Sequence, residues 1–154
     1  WTYVELAYEL QISASEINAG VKRLVQARLA VQGEKRNDSP RLLRSSVLEF
    51  VLHGVKYAFP PERGSVTRGM PTAHAAPPLN EMIVQSGELP PVWPAPDGKV
   101  RGVSFSPLYP TVPGAASTDS VLYELLALLD ALRDGRTRER KLAEKILEER
   151  ILYR

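Results

Sequence analysis

The sequence predicts a mainly α fold with a small β component, and three observations carry that prediction. Two helix-start signals stand close together near the N-terminus, Thr2-Tyr3-Val4-Glu5 and Ser13-Ala14-Ser15-Glu16. Each is a capping box, in which the hydroxyl bonds the third amide of the helix and the Glu carboxylate reaches back. Apolar residues recur at helical spacing in Ile17, Val21, Leu24 and Val25, and again from Val121 to Leu132. Twelve of the thirteen prolines fall between residues 58 and 116, which confines long helices to the two ends.

The first helix runs from Thr2 to about Leu10, with Trp1 and Leu6 at the staple positions beside its cap. Gln11-Ile12 form a short turn. A second helix spans Ser13 to Arg28, with Ile12 and Ile17 as its staple. Gly20 in mid-helix costs roughly 1 kcal/mol against Ala, which close packing would explain. Leu29–Gln32 form a short strand, Gly33–Pro40 a polar turn, and Arg41–Leu43 the returning strand. A third helix starts at Ser45 or Ser46, with Glu49 as the partner of Ser46. Its buried face is Val47, Phe50, Val51, Gly54 and Val55, and Phe59-Pro60-Pro61 stop it.

Three regions follow: 1–57, a proline-rich 58–116 and a helical 117–154. In the middle region Met82-Ile83-Val84 read as a short strand. Pro96-Asp97-Gly98 read as a turn leading to a strand at Lys99–Phe105. The flanking prolines confine any strand at Val92-Trp93 to an edge. Three readings of 58–116 stand: a segment that wraps the surface and anchors Trp93, Phe105 and Tyr109 in a core, a pocket for a small effector around them, or a linker. In the last region a helix capped by Ser117 or Thr118 is closed by Gly135. A second follows from about Thr137, with Leu142, Ile146, Leu147 and Ile151 facing inward. Together they form an antiparallel helical hairpin.

Composition excludes several classes. The chain has 154 residues, 44% of them apolar and 25% charged, with a net charge of +2. That is the balance of a globular domain. No apolar run approaches the ~18 residues of a membrane span, and no secretory pattern opens the chain. With no cysteine, disulfides, thiolate zinc sites and cysteine nucleophiles are excluded; a cytoplasmic location fits. His53 and His74 lie far apart without a carboxylate cluster, so no metal site is expected. No phosphate loop, nucleophile elbow or dinucleotide glycine pattern occurs. The sequence therefore points away from an enzyme and calls for no cofactor.

Charge is local. From Gly20 to Arg44 seven basic residues (Lys22, Arg23, Arg28, Lys35, Arg36, Arg41, Arg44) face two acids, Glu34 and Asp38. Residues 69–154 carry ten basic and eleven acidic side chains. The positive field thus belongs to the first third of the chain.

Helix, short turn, helix, strand, basic turn, strand is the order of a winged helix-turn-helix. The run Leu6–Ala30 resembles the core of bacterial winged-helix transcriptional regulators, broadly the MarR-like group. Ala7 matches the small residue at the helix crossing, Ile12-Ser13 the turn into the recognition helix, and Val21-Lys22-Arg23-Leu24 its packed and outward stretch. The resemblance covers residues 1 to about 45. Two departures stand out. Arg28 takes the place where a glycine commonly ends the recognition helix. The helix that precedes the motif in that group is missing or lies before Trp1.

The resemblance implies a transcriptional regulator, with repression by promoter occupancy as the expected mode. Its partner is double-stranded DNA, read in the major groove by the helix Ser13–Arg28. Subtracting the apolar stripe leaves Ser13, Ser15, Asn18, Ala19 and Lys22 outward. Asn18 suits a bidentate pair with adenine, and Ser15 suits base or phosphate. Lys22, Arg23, Lys35, Arg36 and Arg44 suit phosphate. The alternative is a winged helix used as a protein-interaction or assembly module. A homodimer through 117–154 is expected, because the Val121–Leu132 helix is apolar on more than one face and such readers engage two half-sites.

Overall fold

The computed structural model describes residues 1–35 and 38–154. The chain is mainly helical, 53% helix and 15% strand, with the strands in two small groups.

Helices α1 (Tyr3–Leu10) and α2 (Ala14–Gln26) form where the capping boxes place them. Both end in the same way without a glycine. Gln11 and Arg28 take left-handed φ values of 55° and 58°. The amide of Ile12 then bonds the Ala7 carbonyl, and that of Leu29 the Leu24 carbonyl. These are the closing bonds of Schellman turns, which glycine makes with least strain. Arg28 thus holds the conformation that the missing glycine would take. Gly20 has open space instead of close packing: a Cβ there would meet only the Arg23 guanidinium, at 3.8 Å.

Strands β1 (Ala30–Val31) and β2 (Arg41–Leu42) pair antiparallel, Ala30 opposite Leu42, and are shorter than the sequence suggested. Helix α3 (Arg44–His53) starts ahead of Ser45 and carries no side-chain cap, so the Ser46–Glu49 box is not formed. Gly54 separates it from the single turn α4 (Val55–Ala58).

The proline-rich region holds a barrel of three strands, β3 (Arg63–Pro71), β4 (Pro91–Pro94) and β5 (Val100–Phe105). β3 runs antiparallel to both partners, and β4 runs parallel to β5. The expected edge position of Val92-Trp93 is therefore corrected: β4 is paired on both sides. Pro91 and Pro94 are tolerated because they end the strand and leave Val92 and Trp93 as its interior. Closure needs bare backbone. A Cβ on Gly69 would strike the Trp93 carbonyl, and one on Gly102 the Pro90 carbonyl. Met82-Ile83-Val84 form no strand; they follow a 3-10 turn at Leu79–Glu81. The turn at Pro96-Asp97-Gly98 forms, closed by the Gly98 amide on the Ala95 carbonyl at 3.0 Å.

Helix α5 (Val112–Thr118) precedes the hairpin of α6 (Ser120–Asp134) and α7 (Thr137–Tyr153). Asp119, not Ser117 or Thr118, caps α6 by accepting from the amides of Val121 and Leu122. One side of α6 packs Leu128, Ala131 and Leu132 with Ala73, Leu79, Ala143 and Leu147. Another side brings Tyr123 and Leu126 to Trp93, Phe105, Val112 and Ala116. These two clusters pair most of the apolar breadth of α6 within the chain, while Val121 is 61% exposed and Leu122 borders a hollow with Leu6 and Tyr8. The breadth of the helix is therefore no longer by itself a ground for a dimer interface. Residues of the middle region and of the hairpin share both clusters.

Three donors meet Asp130 in this core. Its carboxylate accepts from Thr72 Oγ1, Trp93 Nε1 and Arg133, each at 2.7 Å. Arg133 also donates to the carbonyls of Phe59 (2.8 Å) and Ser106 (3.0 Å) and lies over the Phe105 ring. Burial pushes the Asp130 carboxyl above its ordinary range, and the bonds from Thr72, Arg133 and Trp93 pull it back. Full pairing is what lets two charges sit in the interior.

Candidate nucleic-acid interface

The expected interface centres on α2, and its geometry starts at the N-cap. Ser13 Oγ accepts from the Glu16 amide at 3.2 Å and lies 3.1 Å from Ser15 Oγ. The return half of the capping box is absent. The Glu16 carboxylate instead accepts the hydroxyl of Tyr109, from the segment before α5. That bond to a carboxylate raises the Tyr109 hydroxyl above its usual range. A second tie lies beside it: Thr111 Oγ1 donates to the Leu10 carbonyl at 2.8 Å. Gly114 sits so close to the Gln11 side chain that a Cβ would collide with it. The turn between α1 and α2 is thus clamped to the start of α5.

Along α2 Ile17 is buried and Val21 and Val25 are half-buried, whereas Leu24, expected in the same inward stripe, is 36% exposed. Ser13, Ser15, Lys22 and Arg23 are exposed, whereas Asn18 and Ala19 are half-buried. Five of the expected residues therefore lie on one helix and six of them, with Ser13 as its cap, in one continuous stretch of backbone. Lys35 is exposed in the turn between β1 and β2, where its amide donates to Asp38 at 3.0 Å. Arg36 lies outside the described residues. Arg44 points elsewhere: its guanidinium donates to the carbonyls of Ile151 (3.2 Å) and Arg154 (3.4 Å) at the end of α7. This is a favourable place for a cation, since the carbonyls of a helix C-terminus carry partial negative charge.

Among the described residues several hollows border this unit, and two bear on the expected interface. One, of about 560 Å³, is apolar and lined by Trp1, Leu6, Val21, Leu24 and Leu42, with Arg41 and Arg44 at its rim. Trp1 is 51% and Leu42 54% exposed there. The other, of about 780 Å³, lies between the α1–α2 turn and the barrel and is lined by Gln11, Met70, Lys99 and Gly114 among others. The aromatic trio expected around an effector does not enclose a cavity. Trp93 and Phe105 are each 1% exposed in the core, while Tyr109 is at the surface on Glu16.

Sequence reading missed Tyr109 as a neighbour of α2 and Thr111 and Gly114 as neighbours of the α1–α2 turn, because they lie about a hundred residues away and carry no local signal. Among the described residues no group of His, Asp or Glu is arranged to hold a metal ion, and no helix is long and apolar enough to cross a membrane. No family model, curated protein or solved structure matches this chain.

Proposed function

We propose that the chain is a DNA-binding transcriptional regulator of the winged helix-turn-helix kind, repressing by promoter occupancy, with α2 as its recognition helix. One observation carries the reading. α1 and α2 are joined by a tight turn and followed by a two-stranded ladder, and α2 keeps Ser13, Ser15, Lys22 and Arg23 in solvent while Ile17, Val21 and Val25 turn inward. Such a helix can enter a major groove with its N-terminal half toward base edges. Lys22, Arg23 and Lys35 would meet phosphate, and Asn18 would read a base if its half-buried amide turns outward. Arg36 keeps its expected phosphate role, and Arg44 takes that role only by leaving the end of α7. The work of such a protein is cytoplasmic. A homodimer would supply two half-sites, but its interface is not given by the leucines of α6.

The test is fluorescence anisotropy with duplex DNA across a salt series. Wild type should bind, more weakly as salt rises. Lys22→Ala with Arg23→Ala should lower affinity for every duplex. It should also flatten the logarithmic salt slope by about 2, since each phosphate left without its cation removes about 0.9. No binding at low salt refutes the proposal.

The apolar hollow beside Trp1 favours the second reading, a module that docks another protein. Under that reading Leu42→Glu abolishes partner binding and wild type leaves DNA unshifted.

A further inference from the structure

We infer that the exposed Arg68–Arg101 pair of the β3–β5 ladder is a second phosphate-binding surface, which takes the backbone of the same duplex that α2 engages. The inference rests on the DNA-binding reading and extends it to a part of the chain outside residues 1–57.

The barrel pairs Arg68 directly opposite Arg101. Both side chains are exposed, and among the described residues neither joins an ion pair or a side-chain hydrogen bond. Like charges directly opposite across a ladder are destabilising. Lys99 lies just before β5, and Met70, two residues on from Arg68, packs against the core cluster of Trp93 and Phe105. Arg63 belongs to another group, because Asp134 holds it at 2.6 Å. Two cations therefore stand opposite each other in solvent, with no ion-pair partner among the described residues.

Position links this face to α2. Met70 and Lys99 line one wall of the 780 Å³ cleft, and Gln11 lines it too. Gln11 stands two residues before Ser13, the cap of α2. Gly69 and Val100, the chain neighbours of Arg68 and Arg101, line the same cleft, so the pair stands beside it. Among the described residues Asp97 is the one carboxylate lining this cleft; it repels phosphate at the turn and leaves the Arg68–Arg101 pair as the seat.

The chemistry fits phosphate. Two neighbouring guanidinium groups offer planar forks of donors to anionic oxygen. A bound phosphate also cancels the repulsion between them, so the opposition that weakens the free ladder favours the complex. Backbone contact of this kind positions a protein without reading sequence.

The experiment compares wild type, Arg68→Gln with Arg101→Gln, the single Arg101→Gln, and Lys22→Ala with Arg23→Ala. Each is titrated into a labelled random-sequence duplex at several salt concentrations. Circular dichroism melting checks the fold of each. The double glutamine variant should melt no lower than wild type, bind about tenfold more weakly at low salt and lose about 2 from the salt slope. The single variant should lose about 1 from that slope. If wild type binds and the Lys22–Arg23 variant weakens while the glutamine variants bind as wild type does, this inference falls and the reading of α2 stands. If wild type binds no duplex, both fall. If the glutamine changes abolish binding of poly-glutamate but leave DNA binding intact, the face serves an acidic protein and the inference is overturned.

Discussion

The indole N–H of Trp93, on β4, donates to the carboxylate of Asp130, on α6, at 2.7 Å in the interior. The same carboxylate holds Thr72 and Arg133, so one side chain joins the barrel, the loop after it and the long helix. Asp130→Ala strands two neutral donors and leaves a buried guanidinium without its partner. Removing one member of a buried pair costs about 3–5 kcal/mol. Urea unfolding should show a loss of that size. Asp130→Leu with Arg133→Met should recover part of it, because no lone charge then remains. Equal losses in both variants would mean that the pair is not the source.

Gly20 lies in mid-α2 with open space where a Cβ would stand. Gly20→Ala should therefore raise stability by about 1 kcal/mol through helix propensity and a less free unfolded chain. The midpoint of thermal or urea unfolding reads this directly. A loss of stability would reveal a close neighbour at that site.

Tyr123 donates its hydroxyl to the Pro71 carbonyl at 2.7 Å, and burial pushes its pKa up to about 12. An unfolded tyrosine titrates near about 10. Between about pH 10 and pH 12 the folded chain keeps this proton while the unfolded chain loses it, so stability falls as pH rises through that window. Tyr123→Phe should flatten that fall, leaving the part due to Tyr109. Denaturant midpoints at about pH 9 and about pH 11.5, on either side of the onset, give the comparison. An unchanged slope would count against it.

Leu125 packs against the cluster of Leu128, Leu132 and Leu147 within one chain. Leu125→Glu should lower the melting temperature and leave the mass by light scattering as in wild type. A wild-type dimer that this change dissociates without loss of melting temperature would place Leu125 in an interface between copies.

Local chemistry carried far in some places. Thr2 with Glu5 and Ser13 mark the starts of α1 and α2 because a cap involves only residues three apart. Gly135 closes α6, and the inward face of α7 follows from its repeat, since Leu147 is buried and Leu142, Ile146 and Ile151 pack against the same cluster. Of the outward set that periodicity gave on α2, Ser13, Ser15 and Lys22 are exposed, whereas Asn18 and Ala19 are half-buried.

Elsewhere distant residues took over. β3 was invisible because five of its first six residues, Arg63–Val66 and Arg68, are exposed, and its strand state comes from β4 and β5. β4 became a central strand because Gly69 and Gly102 let its neighbours close in, which prolines read alone do not reveal. Glu16 left its own helix cap for Tyr109, and Arg44 turned to the end of α7, because a long side chain takes whichever partner folding brings near. Where helices begin, end and turn their apolar faces follows from bonds and contacts within a few residues, so it can be read along the chain. Which elements share a core, and which charges keep to solvent, rests on contacts between residues far apart in the chain, and these exist only once it has folded.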